Sequence, residues 1–394
     1  MNLSPGVRVL VSHAMCAIAV SMPWPALLAQ VWTVTGSDAW LGAAGAARML
    51  PYVVLSAAAG VLADRVSRTR VLRWSTGMRA VLLAGCAAAM TTDQLGVALV
   101  LAVLTVAAGT PAYPAAVAAL PALMRSAPSG QLRRITTLLV TAEVTGFVVG
   151  PALGGVLLGL GHGEWGLWVA AGLAALAWPW LLGLWAGRAD TVGAEAQRGR
   201  LRTVLDSPGV RQAIAMVALV NLTESIASIA LVNLSYQAWG SGDRGFGLAT
   251  AALGFGSLAA PLLGLLIHLR GSLLVTGGGF AVAGLVPGVA AAVGPLAVAG
   301  AAGTVVECVS TEVLQRSVPD RVRAFSLGLA DSVMVLAAMI GALIAPSLAS
   351  LIGAPALFAA TGLILIAVGV SRPRSRVEEL RVEQSAPVVS HTNH

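Results

Sequence analysis

The sequence contains no lysine: all 24 of its basic residues are arginine. That absence excludes the phosphate-loop ATPases, whose loop needs a lysine, and every enzyme that forms a Schiff base. Charge is scarce altogether. Only 10% of the 394 residues are charged and 5% are aromatic, against 57% hydrophobic, whereas a soluble domain carries about 25% charged residues. Too few polar side chains are present to cover a water-facing surface, and the mean hydropathy is +0.85. Cysteine is nearly lacking. Cys16, Cys86 and Cys308 stand singly in apolar segments, without metal-ligand spacing, and read as small core residues. With no histidine cluster, Ser-His pairing or metal spacing, no enzyme and no cofactor are expected. The net charge of +7 would suit nucleic acid, but where the charges sit matters more than their sum, and no nucleic-acid partner is expected.

What the chain does have is apolar length. A membrane span needs roughly 20 apolar residues. Breaks in the pattern mark segments at 8–34, 40–63, 71–90, 96–124, 134–160, 165–186, 210–236, 246–269, 272–291, 295–315, 324–350 and 353–371. The first imitates a secretory signal, with Arg8, an apolar run and Ala26 to Ala29, but the run is too long and eleven more follow. The sequence therefore predicts an all-α integral membrane protein of twelve transmembrane helices. Residues 1–186 form an N-terminal six-helix bundle, 187–209 a linker, 210–371 a C-terminal six-helix bundle, and 372–394 a polar tail expected to be disordered. Sequons at Asn221 and Asn233 fall within an apolar stretch and read as chance matches.

The arginines orient these segments. Alternate loops, counted with both termini, the linker and the tail, hold 21 of them, and the opposite loops hold only Arg244. Arg48 and Arg79 lie within spans. The positive-inside rule then puts both termini in the cytoplasm, which agrees with an even span count and with a cell-membrane location. The halves echo each other. Leu123-Met-Arg-Ser-Ala-Pro128 recurs as Leu314-Gln-Arg-Ser-Val-Pro319, and Gly146-x3-Gly150-Pro151-x2-Gly154-Gly155 recurs as Gly341-x3-Ala345-Pro346-x2-Ala349-Ser350. Two six-helix pseudo-repeats in parallel suit a transporter with its site between the halves.

At Gly60-Val-Leu-Ala-Asp64-Arg65-Val-Ser-Arg68-Thr-Arg70 the chain resembles the major facilitator superfamily, whose loop between spans 2 and 3 carries a glycine, Asp-Arg and further basic residues. The resemblance implies a gate in which Gly60, Asp64, Arg65, Arg68 and Arg70 take part. The span 5 motif of Gly146, Gly150, Pro151, Gly154 and Gly155 resembles that family's antiporter signature, found mainly in exporters. Its glycines are read as lying close to one face, where small residues pack tightly, with Pro151 bending the helix. Arg48-Met-Leu-Pro51 and Val318-Pro-Asp320-Arg-Val-Arg323 look like the bacterial drug- and metabolite-exporter branch. The second half departs from the pattern at His268, where a repeated Asp would stand.

Ionisable residues within spans need a reason, since each costs a few kcal/mol in lipid. Glu143, Glu224 and Asp331 are candidate proton or substrate residues, with Asn221 one turn from Glu224. Arg48 and Arg79 lie at comparable depth. Each carboxylate reads either as a proton carrier or as half of a fixed ion pair, with a buried arginine as the expected partner. Glu307 has no assignable orientation, and Glu312 pairs locally with Arg316. Ser21-Met-Pro23-Trp24-Pro25 interrupts span 1, where Trp24 reads either as a ligand-stacking ring or as a packed residue at a kink. Trp40, Trp165, Trp168 and Trp239 read as interfacial anchors, His13 as a packed polar residue, and Gly277-Gly-Gly279 as a helical stretch rather than a nucleotide loop.

The function expected is export of small organic molecules by alternating access, coupled to protons. The partners are a small-molecule substrate, protons and the bilayer, in a monomer. The alternatives are an importer of the same fold and a non-transporting membrane receptor or scaffold.

Overall fold

The computed structural model describes residues 3–55, 67–124, 131–185, 208–263, 267, 269–317 and 320–371. Every regular element among them is helical. The long helices are α1 (Pro5–Ser21), α2 (Trp24–Thr35), α3 (Asp38–Ala47), α4 (Arg68–Thr91), α5 (Leu95–Gly109), α6 (Ala112–Leu123), α7 (Gln131–Gly159), α8 (Gly163–Ala177), α9 (Pro208–Asn233), α10 (Gly242–Ser257), α11 (Leu269–Leu285), α12 (Val289–Ser317), α13 (Asp320–Ile352) and α14 (Ala354–Ser371). Seven helical stretches among the described residues are long and apolar enough to cross a membrane.

Proline decides where the apolar segments break. Pro23 and Pro25 divide the first into α1 and α2, and Pro111 divides 96–124 into α5 and α6. At a helix start proline costs little, because its missing N–H would have no partner there. Pro151, Pro295 and Pro346 instead lie inside α7, α12 and α13, which run on as continuous helices. Gly36, with φ of 56°, caps α2 in the left-handed conformation and turns the chain into α3.

Helices in lipid gain little from hiding apolar surface from each other, so close backbone approach at small residues has to hold them. The triple glycine in α11 shows this. A Cβ on Gly277 would meet backbone of Gly362 in α14, and one on Gly279 would stand 2.5 Å from the Pro295 carbonyl of α12. Two glycines two residues apart thus let α11 fit between two neighbours at once. Before residue 186, α1 packs along α7, and α4 along α5 and α8; after residue 207, α9 packs along α13, and α11 along α12 and α14.

The two parts of the chain meet through α3 against α13 and α7 against α10. Among the described residues the touching residues lie toward one end of the bundle, with the α7–α10 contact running inward to Val148 and Gly254. A Cβ on Gly42 would come 2.6 Å from the Ala342 carbonyl, and one on Gly155 would come 2.7 Å from the Gly247 carbonyl. Asn233, buried at the end of α9, donates to the Asp38 carboxylate at the start of α3. The loops at residues 36–37, 160–162 and 239–241 lie at this same end, opposite the start of α1.

Large apolar side chains cover the outside, among them Trp40, Val81, Trp165 and Leu351. Trp40, Trp165 and Trp168 are exposed as lipid-boundary anchors would be, but Trp239 is half-buried and donates its indole N–H to the Val286 carbonyl at 3.1 Å. Cys16 and Cys86 are buried core thiols. Cys308 is exposed on α12, against the core reading.

Candidate functional site

Among the described residues, three groups of polar side chains sit within the helices. The first joins α9 to α12. Asn221 and Glu224 lie one turn apart on α9, and Asn221 Nδ2 donates to Glu307 Oε1 of α12 at 3.1 Å and to its own Val217 carbonyl at 3.0 Å. Glu224 Oε1 rests over Gly303 of α12, 2.6 Å from where a Cβ would be, and its carboxyl lies in electrostatic contact with Glu307. Gly303 is therefore the residue that admits Glu224 to the helix interface. Both carboxyls and Asn221 are half-buried. Glu307, which the sequence alone could not orient, belongs to the same group as the two residues singled out.

The second group joins α1 to α7. His13 Nε2 stands 2.6 Å from Glu143 Oε2, with His13 buried and Glu143 half-buried. The Tyr113 ring of α6 is 5.6 Å from the imidazole. This corrects two expectations. His13 is not merely packed, and the partner of Glu143 is an imidazole rather than an arginine. Pairing across spans depends on helix rotation, which residue types do not reveal.

The third group lies where α2 begins. The Arg48 guanidinium sits over the Trp24 ring, 5.8 Å from its centroid, a cation–π arrangement. Trp24 is buried, so its face is engaged by Arg48. Arg48 interacts electrostatically with Tyr52, and the Tyr52 ring meets Phe147 of α7 edge-on at 6.3 Å. Phe147 follows Glu143 by one turn, which links this group to α7. Arg79 is separate: it is buried in α4 and donates to the Gly109 carbonyl at 2.7 Å.

The glycine motif of α7 faces two directions, not one. A Cβ on Gly146 would collide with Ala17 of α1, one on Gly150 would stand 2.6 Å from the Ile18 carbonyl, and one on Gly154 would meet the Met22 carbonyl. Gly155 instead faces Gly247 and Ala251 of α10. The 3.6-residue period explains it: positions 146, 150 and 154 stack, and 155 is turned about 100° away. Helix α7 thus lies against α1 on one side and against α10, from the other part of the chain, on its second side. Pro151 is half-buried between them.

Gly60, Asp64 and Arg65 lie outside the described residues, as does the side chain of Asp331. Of the gate motif, Arg68 and Arg70 begin α4, and Arg70 is exposed. Among the described residues no group of three or more metal-ligating side chains occurs.

A helical bundle with its two parts meeting at one end, and with ionisable side chains held inside it, has the outline of a membrane transporter. Residues 9–286 match the family model of the Major Facilitator Superfamily. The chain belongs to the major facilitator superfamily. It is a multi-pass membrane transporter, not an enzyme, of a superfamily that binds small molecules within the membrane. Solved structures of similar fold include the nucleoside transporter NupG, at 12% identity and a TM-score of 0.67, over 94% of this chain and 98% of that one. A POT family transporter in complex with 5-aminolevulinic acid superposes with a TM-score of 0.68 at 12% identity, covering 93% of this chain and 94% of that one. A bacterial homologue of the human lysosomal transporter Spinster, in an inward-facing and unoccupied conformation, gives 0.67 at 13% identity over 94% and 96%. No curated protein matches this sequence.

Proposed function

We propose that this major facilitator protein is a proton-coupled exporter of small organic molecules, resembling the drug and metabolite branch, in the cell membrane with both termini cytoplasmic. The observation that carries the reading is the Glu224–Asn221–Glu307 group. Two carboxyls that interact electrostatically within a membrane can take up and release protons as a coupled pair, and a chain without a nucleotide loop needs such a device to move substrate uphill. Asn221 holds one carboxyl and leaves the other to respond. Asp331 is a further proton candidate, Arg48, seated on the buried Trp24 ring, is a candidate for contact with an anionic substrate, and no cofactor is used.

Twelve spans in two six-helix halves support alternating access. The pairings of α1 with α7 and of α4 with α5 and α8 before residue 186 recur after residue 207 as α9 with α13 and α11 with α12 and α14, as parallel repeats would. On the arginine orientation the joined end is the outer one, an arrangement that suits a conformation facing the cytoplasm, where an exporter loads. Helix α7, in close contact on both of its sides, is the element on which the halves rock, and Asp64 and its arginines close the cytoplasmic end. The protein works as a monomer, with residues 187–209 as the linker between halves.

Direction is tested in cells stripped of their own efflux pumps. Expression should raise tolerance to a toxic substrate and lower its level inside the cell. Raised intracellular accumulation would show an importer instead.

A further inference from the structure

Among the described residues, one face of α4 is left uncovered. Arg70, Trp74, Met78 and Val81 recur at helical spacing and all four are exposed, Trp74 at 68% and Val81 at 69%. With Arg73, Gly77 and Trp178 they line a cavity of about 640 Å³ on the flank of the bundle. Its lining includes no member of the three polar groups described above, and of the gate motif only Arg70.

The groove is built. Its wall is Trp178, which opens the 3₁₀ turn Trp178–Leu181 after α8. A Cβ on Gly77 would stand 3.3 Å from Trp178 Nε1, so a larger residue there would push the indole away from α4. The turn is pinned from the start of the chain: Arg8 Nε donates to the Trp180 carbonyl at 3.0 Å, and its Nη2 donates to the Leu182 carbonyl. Arg73 spends only its Nε, on the Thr69 carbonyl at 3.3 Å. Its terminal nitrogens, the Arg70 guanidinium and the Trp178 indole N–H meet no acceptor among the described residues. At the level of the headgroups these donors are open to an acceptor from outside the protein, and charge-assisted bonds to phosphate are among the strong ones.

The chemistry changes along the groove. Two guanidiniums stand in the first turns of α4, where the helix dipole already favours negative charge. Below them come aromatic and then aliphatic side chains. Arg70 to Val81 spans about 16 Å of helix, close to half of a hydrocarbon core of roughly 30 Å, that is, one leaflet. None of the lining residues is acidic.

We propose that this groove binds one anionic phospholipid. Its phosphate is held by Arg70 and Arg73, its ester region lies against the Trp178 N–H, and an acyl chain follows Gly77, Met78 and Val81. A free anion would use only the upper end and leave the apolar length empty. The inference needs only that the helices sit in a bilayer, and it stands whichever way transport runs.

Native mass spectrometry of the full chain from micelles doped with phosphatidylglycerol or phosphatidylcholine tests it. Phosphatidylglycerol should be retained in preference, and Arg70→Gln with Arg73→Gln should weaken its binding roughly thirty-fold while leaving phosphatidylcholine unchanged. Gly77→Leu should also release it. Should that variant fail to fold, Met78→Gln with Val81→Ser on the exposed face makes the same test. Equal retention of the two lipids by the wild type, or unchanged retention in the double arginine variant, overturns the proposal. Competition by inorganic phosphate alone, without dependence on acyl chains, would make this a simple anion site and also overturn it. So would phosphatidylglycerol binding that emerges only after Asp190 and Glu195 are neutralised, since the chain's own linker would then fill the groove.

Discussion

His13 of α1 and Glu143 of α7 meet at 2.6 Å, on the same seam along which Ala17, Ile18 and Met22 receive the glycines of α7. A polar latch and a small-residue contact therefore act on one helix pair. Removing one partner leaves the other in a low-dielectric site, so Glu143→Gln or His13→Ala should each cost about 1–3 kcal/mol of stability. Because both remove the same contact, the double variant should fall short of the sum by more than about 0.5 kcal/mol. Melting of the four proteins in detergent measures this, and additive losses would mean the two side chains are not partners.

Gly155 faces Gly247 across the joined end. Gly155→Val places a Cβ 2.7 Å from the Gly247 carbonyl and should push α7 from α10. Spin labels at Leu160 and Arg244 should report a longer and broader distance than in the parent. Gly172, with open space around its Cα, is the control: Gly172→Ala should leave the distance unchanged. An unaltered distribution in Gly155→Val would show that this contact does not hold the end closed.

Asp38→Ala leaves the Asn233 amide buried without its acceptor, at a cost of about 1–3 kcal/mol. Adding Asn233→Leu replaces the orphaned amide with an apolar side chain and should recover part of that loss. A double variant less stable than Asp38→Ala alone would argue against the bond between α3 and α9.

Topology is tested by labelling. Cys308 is exposed and must first be removed along with Cys16 and Cys86. In that background a cysteine at Ser241 should react with an impermeant reagent outside intact cells, while cysteines at Ser67 and Ser129 should not. Labelling of Ser129 from outside would overturn the proposed span count and orientation.

The membrane character and the all-helical build were legible in the sequence because they follow from apolar run length, and the helix breaks from proline. The break at Met22–Pro23 and the helical nature of Gly277-Gly-Gly279 are local properties of the chain. The candidate site was legible only in part. Glu143, Glu224, Asn221, Arg48 and Trp24 stand out as costly or unusual residues in apolar runs. That they meet His13, Glu307 and Tyr52 was not legible, because which residues meet depends on the rotation of one helix against another. Gly155 shows the same gap within a single motif. Spacing alone groups it with Gly154, whereas one further step around α7 turns it to a different neighbour. The exposed groove beside Trp178 needed the turn after α8, held by Arg8 more than 170 residues earlier in the chain.

The central claim is that Glu224 and Glu307 couple transport to protons. Its most direct test is transport by reconstituted protein under an imposed pH gradient, using a compound to which expression confers tolerance, with wild type beside Glu224→Gln, Glu307→Gln and the double variant. Glutamine keeps the shape and much of the hydrogen bonding while removing the titrating group. The account predicts that the wild type accumulates the compound against its gradient, that the double variant loses this uphill accumulation, and that the double variant still exchanges labelled for unlabelled compound across the membrane. A double variant that keeps full pH-driven accumulation would contradict it.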